Sequence, residues 1–140
     1  MTDELRSLQL KNDLAELDRV REAVTEFAGR HDVPAEPLFH LNLALEEVLT
    51  NVISYGYDDS GEHELIVRLG FQQGELWAEV EDDARPFNPL ETPPVDVQMP
   101  LEERSIGGLG IHLVRSLMDE LEYRREEGKN LFRMKKRIKN

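Results

Sequence analysis

From Leu38 to Tyr55 the chain carries one long helical repeat, and that stripe limits what can be built around it. Leu41, Leu45, Val48, Leu49 and Val52 recur at helical spacing, so they line one side of a helix and must be buried against a second layer. The remaining periodicity supplies that layer. Glu4 to Lys11 alternates imperfectly around Leu5, Leu8 and Leu10 and reads as a first strand. His63 to Phe71 and Glu75 to Asp82 read as a hairpin around Gln72-Gln73-Gly74. Leu121 to Glu126 and Leu131 to Ile138 read as a second hairpin, around Gly128-Lys129-Asn130.

Two more helices frame these strands. Leu14, Leu17, Val20, Val24, Phe27 and Ala28 have helical spacing that ends near Gly29; Asn12-Asp13 is the expected cap, with Glu16 at capping-box distance from Asp13. Pro34 and Pro37 mark a break and a restart before the long helix. Gly110 to Asp119 is the third helix, with Ile111, Val114, Leu117 and Met118 apolar. The order β-α-α-β-β-loop-α-β-β predicts an α+β fold: a two-layer α/β sandwich with a mixed, mostly antiparallel sheet and three helices on one face. A length of 140 residues suits a single domain, 1–140, with a normal core.

Composition narrows the function classes. Hydrophobic residues make up 39% and charged residues 33%, which fits a soluble globular chain. No apolar run is long enough to cross a bilayer, and Met1-Thr2-Asp3-Glu4 lacks the apolar core of a signal peptide. The absence of cysteine excludes disulfides, thiol catalysis and thiolate metal sites, and favours a cytoplasmic location. A net charge of -12 repels nucleic acid. The cationic cluster Lys129, Arg133, Lys135, Lys136, Arg137 and Lys139 reads as the solvated face of a last strand. Neither a nucleic acid nor a membrane is expected as a partner.

Three segments carry residue types with chemical potential. Glu47 and Asn51 stand four apart on one helix face. Asn51 offers a neutral oxygen suited to Mg2+, and Glu47 can orient or deprotonate a nucleophile, although the same spacing serves an ordinary solvated pair. Asp82 ends the strand Leu76-Trp77-Ala78-Glu79-Val80, where its carboxylate can accept a hydrogen bond from a base amino group or simply open a turn. Gly107-Gly108-Leu109-Gly110 opens a helix, so its backbone can approach phosphates and present free N–H groups. It has neither the Walker A ending nor the dinucleotide-binding spacing. Periodicity disappears from Asp83 to Ile106, a stretch holding Pro86, Pro89, Pro93, Pro94 and Pro100, and such a loop reads as a lid, a binding loop or disorder. Trp77 reads as core.

Taken in order, these segments resemble the three ATP-binding boxes of the GHKL (Bergerat-fold) superfamily. The helix ending Asn51-Val52-Ile53-Ser54-Tyr55-Gly56-Tyr57 and the turn Asp82-Asp83-Ala84-Arg85-Pro86-Phe87 resemble those of stand-alone anti-sigma-factor serine kinases of bacterial partner-switching systems. The resemblance runs from about Leu5 to Ile138. It implies Glu47 as catalytic base, Asn51 as Mg2+ ligand and Asp82 as adenine acceptor. It places Ala84, Phe87, Leu109 and Asn130 in the nucleotide site, Gly107, Gly108 and Gly110 at the phosphates, and a lid over about Phe87 to Ser105 with Arg104 near its end. It further implies ATP and Mg2+ as cofactors, phosphorylation of an anti-anti-sigma (STAS-type) protein, a sigma factor as a second partner, and a homodimer. Two positions depart from the pattern. Ala84 stands where the family has a glycine, which would tighten the adenine pocket, and Lys129-Asn130 stands where a threonine is usual, with Asn130 able to supply the polar contact. A non-catalytic, ATP-dependent binding module is the alternative.

Overall fold

Strict alternation along two central strands decides which side of the sheet is buried. In the computed structural model, which describes residues 4–57, 61–88, 90 and 108–138, β2 (Glu64–Gln72) and β3 (Glu75–Asp82) turn Leu65, Val67, Leu69, Phe71, Leu76, Ala78 and Val80 to one face. With β1 (Glu4–Lys11), β4 (Glu120–Glu126) and β5 (Lys129–Arg137) they form a five-stranded sheet of order β1-β2-β3-β5-β4. Every neighbouring pair is antiparallel, so the described sheet is wholly antiparallel and not the mixed one expected. Three helices, α1 (Glu16–Arg30), α2 (Ala35–Tyr55) and α3 (Gly108–Leu117), supply the second layer. Their apolar stripes join the sheet's buried face in one core cluster: Val20, Val24 and Phe27 from α1, Leu41, Leu45, Val48 and Leu49 from α2, and Val114 from α3. Among the described residues no helix is long and apolar enough to cross a membrane.

Local chemistry sets the element ends. α2 starts at Ala35, earlier than the repeat suggests, because extended Pro34 is its N-cap and Pro37 falls in the first turn, where no backbone N–H is needed. The expected capping box before α1 is displaced: Asp13 Oδ1 accepts from the Ala15 N–H at 2.9 Å and Glu16 Oε2 accepts from the Lys11 N–H at 2.9 Å. Both hairpins close through two residues at positive φ, Gln73 and Gly74 (52° and 77°) and Glu127 and Gly128 (51° and 79°). Left-handed pairs of this kind match the right-handed twist of the flanking strands. The second turn therefore sits earlier than expected, and Lys129 and Asn130 belong to β5. Asn130 is thereby register partner to Asp82.

The open face of the sheet is ionic. Trp77, expected in the core, lies on this face because its neighbours Leu76 and Ala78 take the helix side; it sits opposite Gly70, with Arg133 4.4 Å above its ring. Buried Glu79 is approached by Arg68 and Arg133, each at 3.2 Å, and by Arg124 at 3.7 Å. Lys129 pairs with Glu81, and Arg137 with Glu75 and Glu120. Lys129, Arg133 and Arg137 thus interleave with carboxylates of β3 and β4.

Candidate functional site

The C-terminal end of α2 and the loop after β3 are held together through backbone. The Arg85 N–H donates to Gly56 O at 3.2 Å and Arg85 Nη2 donates to Tyr55 O at 2.6 Å. From β4, Arg125 Nη1 donates to Ala84 O at 2.9 Å. Between these elements opens a cavity of about 480 Å³, and Asn51, Asp82, Ala84, Phe87 and Asn130 all line it. That size and its mostly apolar wall with few polar groups suit a small-molecule site. Five positions scattered over α2, β3, β5 and a loop thus meet in one place.

Asp82 is the most constrained group there. It is 4% exposed, and its Oδ1 accepts from Asn130 Nδ2 at 2.8 Å and from the Ala84 N–H at 3.0 Å. Burial pushes its carboxyl above the ordinary range, while the Asn130 amide, the Ala84 N–H and the Arg125 charge pull it back. No hydrogen bond within the described residues engages Oδ2, which leaves that oxygen to a donor in the cavity. Asn130, 5% exposed, also donates to Arg85 O at 3.0 Å and accepts from the Tyr123 hydroxyl at 2.6 Å.

Asn51 lines the same cavity from α2, and its Nδ2 is enclosed without a hydrogen-bond partner among the described residues. An enclosed amide nitrogen of this kind is unusual in a folded chain and is expected where a bound group completes it. The amide can present either oxygen or nitrogen by rotation, so an oxygen-seeking cation fits here. Glu47 stands one turn earlier on the same helix, half-buried, and outside the cavity wall. Glu46 turns to the surface and pairs with Arg21 at 3.4 Å.

At the cavity mouth stands a cluster that the sequence pattern does not reveal. Tyr57 lines the cavity, stacks on His63 at 4.1 Å and donates its hydroxyl to Asp83 Oδ1 at 3.1 Å. Burial, reinforced by Asp83, raises the phenol above its usual value, so it remains a donor. Tyr123 and Arg125 were likewise not identifiable; only the true hairpin register places them beside Asn130. Gly108, Leu109 and Gly110 form the first turn of α3. Gly107, Arg104 and the expected lid beyond Asn88, apart from Leu90, lie outside the described residues.

Comparison with known proteins bears on this geometry. The sequence pattern of the histidine kinase-like ATPase domain matches residues 10–136. A protein named serine-protein kinase RsbW from Listeria monocytogenes serovar 1/2a is 29% identical over 126 residues, covering 86% of this chain and 78% of that relative. One of the same name from Bacillus cereus (strain B4264) is 27% identical over 112 residues, covering 78% of this chain and 70% of the relative. The crystal structure of the RsbU and RsbW domains of Rv1364c from Mycobacterium tuberculosis superposes with a TM-score of 0.69 at 14% identity. It aligns with 96% of this chain, which spans about a third (32%) of that longer protein. At that identity the superposition speaks to fold alone.

Proposed function

The chain belongs to the histidine kinase-like ATPase domain family, and from that premise we propose that it is an ATP-binding serine/threonine protein kinase and anti-sigma-type regulator. The observation that carries the proposal is one cavity lined both by the buried carboxylate Asp82, whose second oxygen takes no hydrogen bond among the described residues, and by Asn51, whose enclosed Nδ2 has no partner there either. Asp82 would accept the adenine amino group, with Ala84 and Phe87 flanking the base. Gly107, Gly108, Leu109 and Gly110 would offer backbone N–H groups to the phosphates at the start of α3. Asn51 would hold Mg2+, which when bound neutralises phosphate charge. Glu47 would take the proton from the attacking serine hydroxyl as general base.

The substrate in this proposal is a serine on an anti-anti-sigma protein of the STAS type. A sigma factor would be the competing partner, the chain would act as a homodimer, and the setting would be the cytoplasm. Relatives named serine-protein kinase support the serine as acceptor. One observation favours a second reading, a module that binds ATP and regulates a different partner without transfer: Glu47 does not line the cavity. Incubation with γ-labelled Mg-ATP and a candidate STAS-type protein separates the two. Label on a partner serine supports the kinase. Bound nucleotide without label supports the module, and no bound nucleotide overturns both.

A further inference from the structure

The Asn130 amide has only one orientation compatible with its neighbours. Its nitrogen faces three acceptors: Asp82 Oδ1 at 2.8 Å, Arg85 O at 3.0 Å and Ala84 O at 3.4 Å. A primary amide has two hydrogens, and both are committed to these oxygens. The amide oxygen must then be the atom at 2.6 Å from the Tyr123 hydroxyl, which donates to it. A chain of donation runs from Tyr123 on β4, through Asn130 on β5, to Asp82 on β3, crossing three adjacent strands.

The chain ends by fixing the orientation of the Asp82 carboxylate. Oδ1 takes the Asn130 amide and the Ala84 N–H, so rotation about the last side-chain bond is blocked. Asn130 has no amide hydrogen left for a ligand. Its effect on anything in the cavity must pass through Asp82. We infer that Tyr123 and Asn130 are positioning residues for base selection: they hold Asp82 Oδ2 as an acceptor-only edge that takes a purine bearing a 6-amino group and rejects one bearing a 6-oxo group. A 6-amino group donates to that oxygen, whereas a 6-oxo group would set two acceptors against each other in a buried site, at the cost of an unmade hydrogen bond. This rests on the reading of the cavity as a nucleotide site, and it assigns Tyr123 and Asn130 a role distinct from direct contact with the base.

The test compares Mg-ATP with Mg-ITP, whose bases differ at the 6-position, by calorimetry on the full chain. Its variants are Asp82→Asn, Tyr123→Phe and Asn130→Ala. The parent should prefer ATP. Asn130→Ala removes a hydrogen bond to a charged group and should reduce the ATP/ITP ratio by about tenfold. Tyr123→Phe removes a neutral bond one step back and should reduce it by about threefold. A carbon-13 titration of the Asp82 carboxyl adds a signature that loss of packing would not produce. Its charged and titratable neighbours Asp83, Arg125 and Tyr57 are unchanged in these variants, so Asn130→Ala should move the Asp82 midpoint upward. If the parent binds neither nucleotide, or Asp82→Asn keeps the parent ratio, the nucleotide reading itself falls. If Asp82→Asn loses the ratio while Tyr123→Phe and Asn130→Ala keep it, weakening both nucleotides alike, the positioning role alone is overturned. Tyr123→Phe keeps the ring and its packing, so it decides the matter even if Asn130→Ala fails to fold.

Discussion

Gly56 packs against Ala84 so closely that a Cβ added to Gly56 would lie 2.9 Å from the Ala84 Cβ and 2.6 Å from Val52 O. The backbone of Gly56 is right-handed (φ -80°, ψ -20°), so the constraint is space and not conformation. This contact sets the distance between the end of α2 and the loop after β3, and hence the width of the cavity. Gly56→Ala should cost roughly 1–3 kcal/mol through overpacking. Gly56→Ala combined with Ala84→Gly should recover part of that loss, because one of the two clashing carbons is gone. Urea denaturation of the parent, both single variants and the double variant measures the coupling. A Gly56→Ala protein as stable as the parent would show that the two elements separate freely.

Asp82 gives a pH dependence of defined sign. Its folded-state value is raised above 3.8, chiefly by burial. Between that ordinary value and the raised one, the native protein holds a proton that the unfolded chain has released. The contribution of Asp82 to stability therefore falls as pH rises through this window and is level above it. Asp82→Asn cannot titrate, so its stability relative to the parent should improve as pH rises from about 4 toward neutrality. The same variant should lose most of the stabilisation that saturating Mg-ATP gives, which is about 2.7 kcal/mol at a hundred times the dissociation constant. A flat stability difference across the window refutes the raised value, and an intact ATP shift removes Asp82 from base binding.

Binding and transfer separate at the two α2 positions. Asn51→Ala removes the proposed cation ligand and should weaken the Mg2+-dependent part of ATP binding by roughly tenfold, about 1.4 kcal/mol. Glu47→Gln keeps shape and removes the base, so ATP should bind as in the parent while phosphotransfer slows by roughly 10²–10⁴. Calorimetry and a labelled-phosphate assay read the two effects. Equal transfer rates in parent and Glu47→Gln would leave Glu47 without a catalytic role.

The element order and the layer arrangement were legible because they depend on apolar periodicity, which each segment carries within itself. β1 is an instance: although Leu5 is out of phase and exposed, Leu8 and Leu10 are buried at a spacing of two, enough to mark a strand. Hairpin register was not legible, since the Glu127-Gly128 turn depends on a non-glycine residue adopting positive φ. That local choice decides whether Asn130 lies in a turn or opposite Asp82. Motif residues on separate elements were identifiable by type, and Asn51, Asp82, Ala84, Phe87 and Asn130 do meet in one cavity. Tyr57 belongs to the motif that ends α2, yet neither its hydroxyl bond nor that of Tyr123 is legible, because nothing in the local sequence marks a tyrosine whose hydroxyl meets a side chain on another segment. The bulk of Trp77 points to the core, whereas its partner Gly70 provides the space that lets it lie on the open side.

That pairing yields the last prediction. A Cβ added to Gly70 would fall 2.1 Å from the Trp77 ring, so no side chain fits there while the ring stays in place. The ring also carries the Arg133 guanidinium at 4.4 Å, and Arg133 in turn reaches Glu79 at 3.2 Å. Gly70→Ala must lift the indole, and with it the cation that helps neutralise a buried carboxylate. Gly70 is remote from the cavity lining, so the effect should appear in stability and not in nucleotide affinity. A loss of roughly 1–3 kcal/mol is expected from the overpacking, accompanied by a red shift of Trp77 fluorescence as the ring gains contact with water. Trp77 is the sole tryptophan, so the emission reports on this site alone. Unchanged emission with unchanged stability would mean that the ring does not rest on Gly70.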